Sequence, residues 1–316
     1  MIKYIARRLM IAALIMLGAS LISFSLIYFA PGNPAVAIIG AETGEEPAIE
    51  EIEFFFQEHG LNDPFVVQCA QWLYMITHGD LGTSFRTGEP VLVEFIDRFP
   101  ATLELAIAAM FIAILISIPL GTLAAMKQNS ALDHGSRFVA LWGVSMPNFW
   151  LGLILILFFS VRLGWFPCFG YGSIEYLILP AITLGTSMTA SLMRLMRASM
   201  LEVLRQDYIR TARAKGLKER LVIWKHGFKN ALIPVVTVMG MQVGHLLAGA
   251  VIIETIFAWP GVGKFLVDGI YARDYPVIQG FVLIIALFFV LSNLAVDILY
   301  TYLDPRIRYD VEKGMR

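Results

Sequence analysis

Residues 9–30 form an apolar run of 22 residues without one charged side chain. Coiled at about 1.5 Å per residue, the run is roughly 33 Å long, enough to cross the hydrocarbon of a bilayer. A cleaved signal peptide has a shorter apolar core and a small-residue cleavage site. The run is therefore read as an uncleaved transmembrane helix, closed by Pro31, Gly32, Asn33 and Pro34. Five further runs of spanning length follow, at about 101–126, 137–161, 174–196, 232–257 and 276–303. The expected fold class is all-α, a polytopic membrane protein of six transmembrane helices with both ends on one side. A content of 58% hydrophobic residues excludes an ordinary soluble domain. The net charge of −1 gives no sign of a nucleic-acid partner.

Charge distribution sets the expected orientation. Nineteen Lys and Arg fall on one side of these spans and five on the other. The richer side holds Lys3, Arg7 and Arg8, then Lys127 and Arg137, ten residues from Arg194 to Lys229, and Arg306, Arg308, Lys313 and Arg316. By the positive-inside rule that side is cytoplasmic. The expected organisation is then an N-terminal tail and first helix at 1–30, an external (periplasmic or extracellular) segment at 31–100, a transmembrane core at 101–303 containing a cytoplasmic loop at about 205–231, and a cytoplasmic tail at 304–316. The external segment begins acidic, with Glu42, Glu45, Glu46, Glu50, Glu51 and Glu53. One or two amphipathic helices are expected there, packed on the membrane surface through residues 54–56 and 72–74. Gly60 to Pro64 and Gly79 to Gly82 read as turns. Cys69 and Cys168 both fall outside; two free thiols are expected, with one bridge as the alternative.

The loop around 207–234 is the only long, strongly basic segment. Its pattern predicts two short helices. Ile209 and Ala212 recur at helical spacing, Gly216 sits where a left-handed residue closes a helix, and Leu217 supplies the hydrophobic contact after it. Residues 218–228 restart as an amphipathic helix carrying Leu221, Val222 and Trp224. Pro234 stands in the first turn of the next apolar run. Such a segment either lies on lipid headgroups or is presented to a partner.

Ionisable groups inside the spans are few: His245 and Asp297, with Glu104 and Glu254 nearer the ends. In the fifth span Gly240, Gly244 and Ala248 make a small-residue face that admits a close neighbour. Gln242 and His245 share another face, beside Met239 and Met241. That face is either a pore wall or the site of a helix–helix hydrogen bond. His245 is a candidate metal ligand as a single imidazole. Phe257 and Trp259 suit an interface belt. Gly263-Lys264 fails as a phosphate loop, because Ala258 replaces the first Gly and Phe265 the Ser or Thr. No other nucleotide motif exists in the sequence. His59, His78, His134, His226 and His245 form no two-His helical pair, and no nucleophile motif accompanies them; the chain is not read as an enzyme.

The basic loop resembles the coupling loop of ATP-binding cassette importer permeases, the dipeptide/oligopeptide/nickel group in particular. Residues 207–217, Asn230, Ala231 and Pro234 match that group's pattern, although Arg210-Thr211-Ala212 replaces the Glu-Ala-Ala of the wider superfamily. Gly60, Leu61, Pro64, residues 79–82, Ser84 and residues 100–105 match further, as do the 254–279 segment and residues 304–308. The resemblance implies a type I importer permease. Its coupling helix (Asp207, Tyr208, Arg210, Thr211, Ala212, Arg213, Ala214, Lys215, Gly216 and Leu217) would dock into a cleft on an ATPase subunit. The implied partners are a second homologous permease subunit, two ATP-binding cassette ATPases, an extracytoplasmic substrate-binding protein and membrane lipid. No cofactor is implied in this chain, and ATP-Mg belongs to the partners. Candidate translocation-path residues are Met146, Asn148, Met241, Gln242, His245 and Glu254. Residues 145–150, 166–167, 170–172 and 257–263 look like nickel-system permeases, whereas the coupling loop and Gln242 look like dipeptide permeases. The cargo expected is nickel or a metal chelate, with dipeptides or oligopeptides as the alternative. An ATP-independent channel or secondary carrier is the remaining reading.

Overall fold

The computed structural model describes residues 2–303. The side chains of residues 2–7, 9, 243, 245, 247, 248 and 292–303 lie outside the described set. The expected tail at 304–316, the side chains of Ala248 and Asp297, and the 304–308 match fall outside it too.

The described chain is a run of helices, with one isolated bridge between Thr83 and Pro90. They are α1 (Ile2–Tyr28), α2 (Pro34–Thr43), α3 (Ile49–Glu58), α4 (Phe65–Thr77), α5 (Val91–Met126), α6 (Ala131–Ser145) and α7 (Asn148–Leu155), which continues as a π-helix over Ile156–Arg162. Then come α8 (Ile174–Leu204), α9 (Asp207–Ala214), the single turn α10 (Glu219–Leu221) with a π-helix over Val222–Phe228, α11 (Lys229–Ile256), α12 (Val262–Ala272) and α13 (Tyr275–Leu303). Among the described residues three helices are long and apolar enough to cross a membrane, at Met10–Tyr28, Val91–Met126 and Ile174–Leu204. The α6–α7 pair makes a fourth if counted as one broken span. The fifth and sixth expected spans coincide in position with α11 and α13, part of whose side chains lie outside the described set. The chain is an all-α polytopic membrane protein.

Five expectations about these elements need correction. The 31–100 segment holds three complete helices rather than one or two, and α5 starts at Val91, ten residues before the expected span. Asn33 begins the first of these helices, its Oδ1 accepting from the Ala35 amide at 2.9 Å, with Pro34 in the first turn where a missing N–H costs nothing. The third span is bent by 104° between Ala131–Ser145 and Asn148–Arg162. Met146 there is extended (φ −79°, ψ 128°), as the residue before Pro147 must be. Pro234 lies inside α11 rather than in a first turn, because the helix begins earlier and runs on from the 222–228 stretch. Two of the five expected surface-packing aromatics turn inward, and Phe56 is half-buried. Phe55 and Trp72 are buried, while Phe54 and Tyr74 stay exposed.

The chain divides into two compact units. Unit 1 comprises residues 1–101 and 260–316. In it α1 packs against α13 and α4, and the Trp72 indole N–H donates to Ser20 Oγ at 2.8 Å. Asp274, 1% exposed, joins two distant stretches. Its carboxylate accepts from Ser84 Oγ at 2.6 Å and from the Phe85 and Arg86 amides at 3.2 Å each. A carboxylate with three donors is stable when buried. The same side chain caps α13 through the Val277 amide at 3.4 Å.

Unit 2 comprises residues 102–259 and is built on α8, which packs against α11, α6 and α7. Leu179, Leu184, Leu192, Met196 and Met200 are its buried face. Two glycines let α5 and α8 approach main chain to main chain. A Cβ on Gly185 would sit 2.7 Å from the Ala109 carbonyl oxygen, and one on Gly121 would sit 2.7 Å from that of Met193. Backbone cannot yield as a flexible side chain can. Gly185→Val is therefore expected to cost about 1–3 kcal/mol through overpacking, read as a lower unfolding temperature in detergent. Gly164→Ala, with nothing within 4 Å of its Cβ but a φ of 63°, is expected to cost about 1 kcal/mol or less.

Candidate functional site

The basic loop folds as a small braced unit at one end of unit 2. α9 buries Ile209 and Ala212 against Val222, and the rest of the helix is exposed. The helix closes as expected. Gly216 adopts φ 76°, its amide donates to the Arg213 carbonyl at 2.9 Å, and the Leu217 amide donates to the Ala212 carbonyl at 3.4 Å. This pair of bonds is the Schellman closure, which demands a left-handed residue at position 216.

Two side-chain ties hold α9 to the elements after it. Asn230 Nδ2 donates both to Tyr208 Oη at 3.0 Å and to the His226 carbonyl at 2.8 Å, so the start of α9 is pinned to α11. Arg213 grips Glu219 with both nitrogens, at 3.1 and 2.7 Å, across the Gly216 turn. The guanidinium holds the Glu219 carboxyl below its ordinary value. A depressed acid contributes stability above its unfolded pKa and loses it as pH falls through the folded one, so this tie slackens only in acid. Both partners are about half exposed, and screening by water keeps the contribution small. Arg210 and Asp207 form a looser, highly exposed pair at 3.6 Å. Thr211 bonds back to the Asp207 carbonyl at 2.9 Å, and Ala214 and Lys215 are exposed. Beyond the turn, Leu217, Leu221 and Trp224 stand exposed among Lys218, Arg220 and Lys225 around a shallow hollow.

Behind this unit lies a clamp that the sequence reading missed. Asp133, in the first turn of α6 and fully buried, receives Arg197 of α8 through Nε at 2.6 Å and Nη2 at 2.7 Å. The Asn129 amide adds a third donor at 2.9 Å. The partners are 64 positions apart, and no local spacing announces them. The clamp fixes α8 ten residues before α9 begins, so that α9 extends from a braced shaft.

At the C-terminal end of α11 the polar groups are also paired. Glu254 is fully buried, and Thr102 of α5 donates to it at 2.6 Å. In this conformation it belongs to a helix–helix tie and faces no open path. Phe257 and Trp259 are buried at 2% and 1% exposure rather than lying in an exposed interface belt. Here burial against neighbouring helices outweighs the preference of indole for an interface. Tyr171 packs edge-on against Trp259 and donates to the exposed Glu104 at 2.9 Å, while the Gly170 amide donates to the Phe257 carbonyl at 3.1 Å.

Of the other path candidates, Met146 and Asn148 flank the α6–α7 bend and are half-buried. Met241 is exposed and Gln242 half-buried on α11. The side chain of His245, and with it the metal-ligand expectation, lies outside the described residues. Among the described residues no group of three or more His, Cys, Asp or Glu could hold a metal ion. Cys69 and Cys168 are free thiols.

Removing one member of a buried, hydrogen-bonded ion pair strands the other. Asp133→Ala is expected to cost about 3–5 kcal/mol, and the pair Asp133→Leu with Arg197→Met to restore most of it. Unfolding midpoints of the parent and these two variants in detergent check this.

Comparison with known proteins places this geometry. The family described as "Binding-protein-dependent transport system inner membrane component" matches residues 117–309, and its N-terminal counterpart matches residues 1–106. A dipeptide transport system permease of Alkalihalophilus pseudofirmus, DppB, is 45% identical, over 98% of this chain and 100% of its own length. An oligopeptide transport system permease of Bacillus subtilis, AppB, is 44% identical over 98% and 100%. The dipeptide permease DppB of Escherichia coli is 43% identical over 98% and 99%. Among solved structures, the MetNI methionine ABC transporter superposes with a TM-score of 0.56 at 17% identity, covering 67% of this chain and 97% of that one. An amino acid ABC transporter gives 0.51 at 16% identity, over 68% and 94%. At these identities the structures support the fold alone.

Proposed function

The chain belongs to the family of binding-protein-dependent transport system inner membrane components, and from that premise we propose that it carries dipeptides or oligopeptides across the cytoplasmic membrane as the permease of an ATP-driven importer. It is a membrane component and not itself an ATPase. The observation that carries the cargo is the near-complete coverage, at 43–45% identity, by relatives described as peptide permeases. The nickel expectation gives way to them, because it rests on short segments, the longest of seven residues, whereas these likenesses extend over 98% of the chain.

The proposed mechanism uses the braced loop unit. α9 and the basic, apolar-floored hollow beside it face the cytoplasm and receive two-ATPase closure as a push. The Tyr208–Asn230 tie passes that push to α11, and the shaft of α8, clamped by Asp133, passes it to the helices around it. A connector must be stiff to transmit displacement, and each of these contacts removes a freedom. A second homologous permease, two ATPases and an extracytoplasmic binding protein complete the assembly. In this reading residues 31–100 face the exterior and both termini the cytoplasm.

Proline cannot adopt the φ of 76° held by Gly216, and it lacks the amide that bonds Arg213. Gly216→Pro is expected to leave the protein in the membrane with the ATPases hydrolysing ATP, yet to reduce uptake of a labelled dipeptide about a hundredfold, a coupling effect of ordinary allosteric size. Uptake at the parental rate would refute the lever. Nickel accumulation driven by the parent, without dipeptide uptake, would refute the cargo.

A further inference from the structure

Unit 1 contains a cavity of about 490 Å³ that has no part in the mechanism proposed above. It lies where the last turns of α1 meet α4, the 82–85 loop and the start of α13. Rings of Phe24, Tyr28, Trp72, Phe85 and Tyr275 make much of its wall, and no Lys, Arg, Asp or Glu lines it. Its volume is that of a small-molecule site, and the rings share its wall with the polar side chains of His59, Gln68, Gln71, Thr83 and Gln279.

Gln279 is the informative polar group. It is 8% exposed and lines the cavity, and no described group hydrogen-bonds its amide. The neighbouring Gln68 differs, since its Nε2 is already taken by the Leu61 and Asp63 carbonyls at 3.0 and 2.8 Å. A buried amide normally has a partner. The Gln279 amide is not sealed off but opens on the cavity, so its partner is water or whatever else fills that space.

Depth identifies the filling. Trp72 bonds Ser20, eight residues before the end of α1, which is about 12 Å down the helix axis. The floor of the cavity therefore lies alongside the Met10–Tyr28 span and not beyond it. On the same helix Ile22, Leu26 and Phe29 form an exposed apolar stripe at 62%, 68% and 74%. The stripe leads to the rim, where Phe29 and Tyr28 pack on Phe65. Aromatic residues at such a level mark a bilayer boundary.

We propose that this cavity holds a membrane phospholipid, with one acyl chain among the rings and the Gln279 amide donating to the ester carbonyl at the head of that chain. The charge-free lining disfavours a phosphate or a zwitterionic peptide end, either of which would be desolvated without a counter-charge. It suits a hydrocarbon chain ending in a neutral acceptor. A lipid seated there touches α1, α4 and α13 at once and fills a void that would otherwise weaken their packing.

The test uses the full-length chain in the complex it forms when expressed. The complex is reconstituted in phosphatidylethanolamine–phosphatidylglycerol vesicles doped with a phospholipid carrying a diazirine in one acyl chain. After irradiation, peptide mapping is expected to find a saturable adduct on the segments holding Trp72 and Gln279, beside a non-saturating background on exposed Leu14 and Leu26. Gln279→Leu keeps the bulk and removes the amide. It is expected to weaken the saturable labelling about fivefold, the effect of one hydrogen bond, with the background unchanged. Ala30→Trp, at an exposed rim position, is an independent block expected to abolish the saturable adduct even if Gln279→Leu fails to fold. Labelling at Trp72 that rises linearly with lipid and ignores both variants would overturn the proposal. So would displacement of the label by a water-soluble dipeptide.

Discussion

Hydrocarbon offers no hydrogen-bond partner, and this one deficiency shapes nearly every feature of the molecule. Backbone groups answer it by coiling into helices. Side chains answer it locally where they can. On α8, Thr183, Thr186 and Thr189 each bond the carbonyl four residues back, at 2.6–2.8 Å, and Thr122 does the same on α5. A carboxylate needs several donors; Glu94 finds them nearby, in Arg98 and Thr87, but three other buried acids do not. They reach across the fold instead: Asp133 to Arg197, Glu254 to Thr102, Asp274 to the 84–86 loop. Among the described residues only Ser117 Oγ is fully enclosed without a partner.

These long-range ties fall at helix ends, where orphan backbone groups add to the demand for partners. Asp133 lies in the first turn of α6, Asp274 just before α13, and Glu254 in the last turn of α11. The interiors of the helices are thereby left free for apolar and small-residue contacts, such as those of Gly121 and Gly185. The mechanical consequence concerns α9. Its packing on Val222, its Schellman closure and its tie to Asn230 make a short surface helix behave as part of the helices behind it. An exposed helix of eight residues has little stability of its own. The coupling role proposed for α9 needs rigidity borrowed from its neighbours, and these contacts supply it.

Local chemistry is legible in the residues themselves. Gly216 at φ 76°, and Gly60, Gly79 and Gly82 at 65°, 77° and 79°, stand where the turn-forming residues require them. Proline is a poorer guide to boundaries. Read as punctuation, Pro100 marks the start of a span, yet α5 runs through it, because Val91 and Phe95 are buried and hold the preceding turns. Pro147 does end a helix and produces a bend that hydropathy alone does not register. Nickel as the cargo goes unsupported for a related reason: segments of a few residues weigh less than likeness along a whole chain.

What the amino-acid order determined by itself was the repertoire of helices, the membrane as their solvent, and the closure of α9 at Gly216. Each depends on residues within a turn or two of one another. Only the tertiary structure decided which acid meets which donor, that Phe55, Trp72 and Trp259 turn inward, and that a cavity remains around Gln279. Those outcomes join positions up to 190 residues apart. They are selected by packing in three dimensions, and periodicity along the chain carries no record of them.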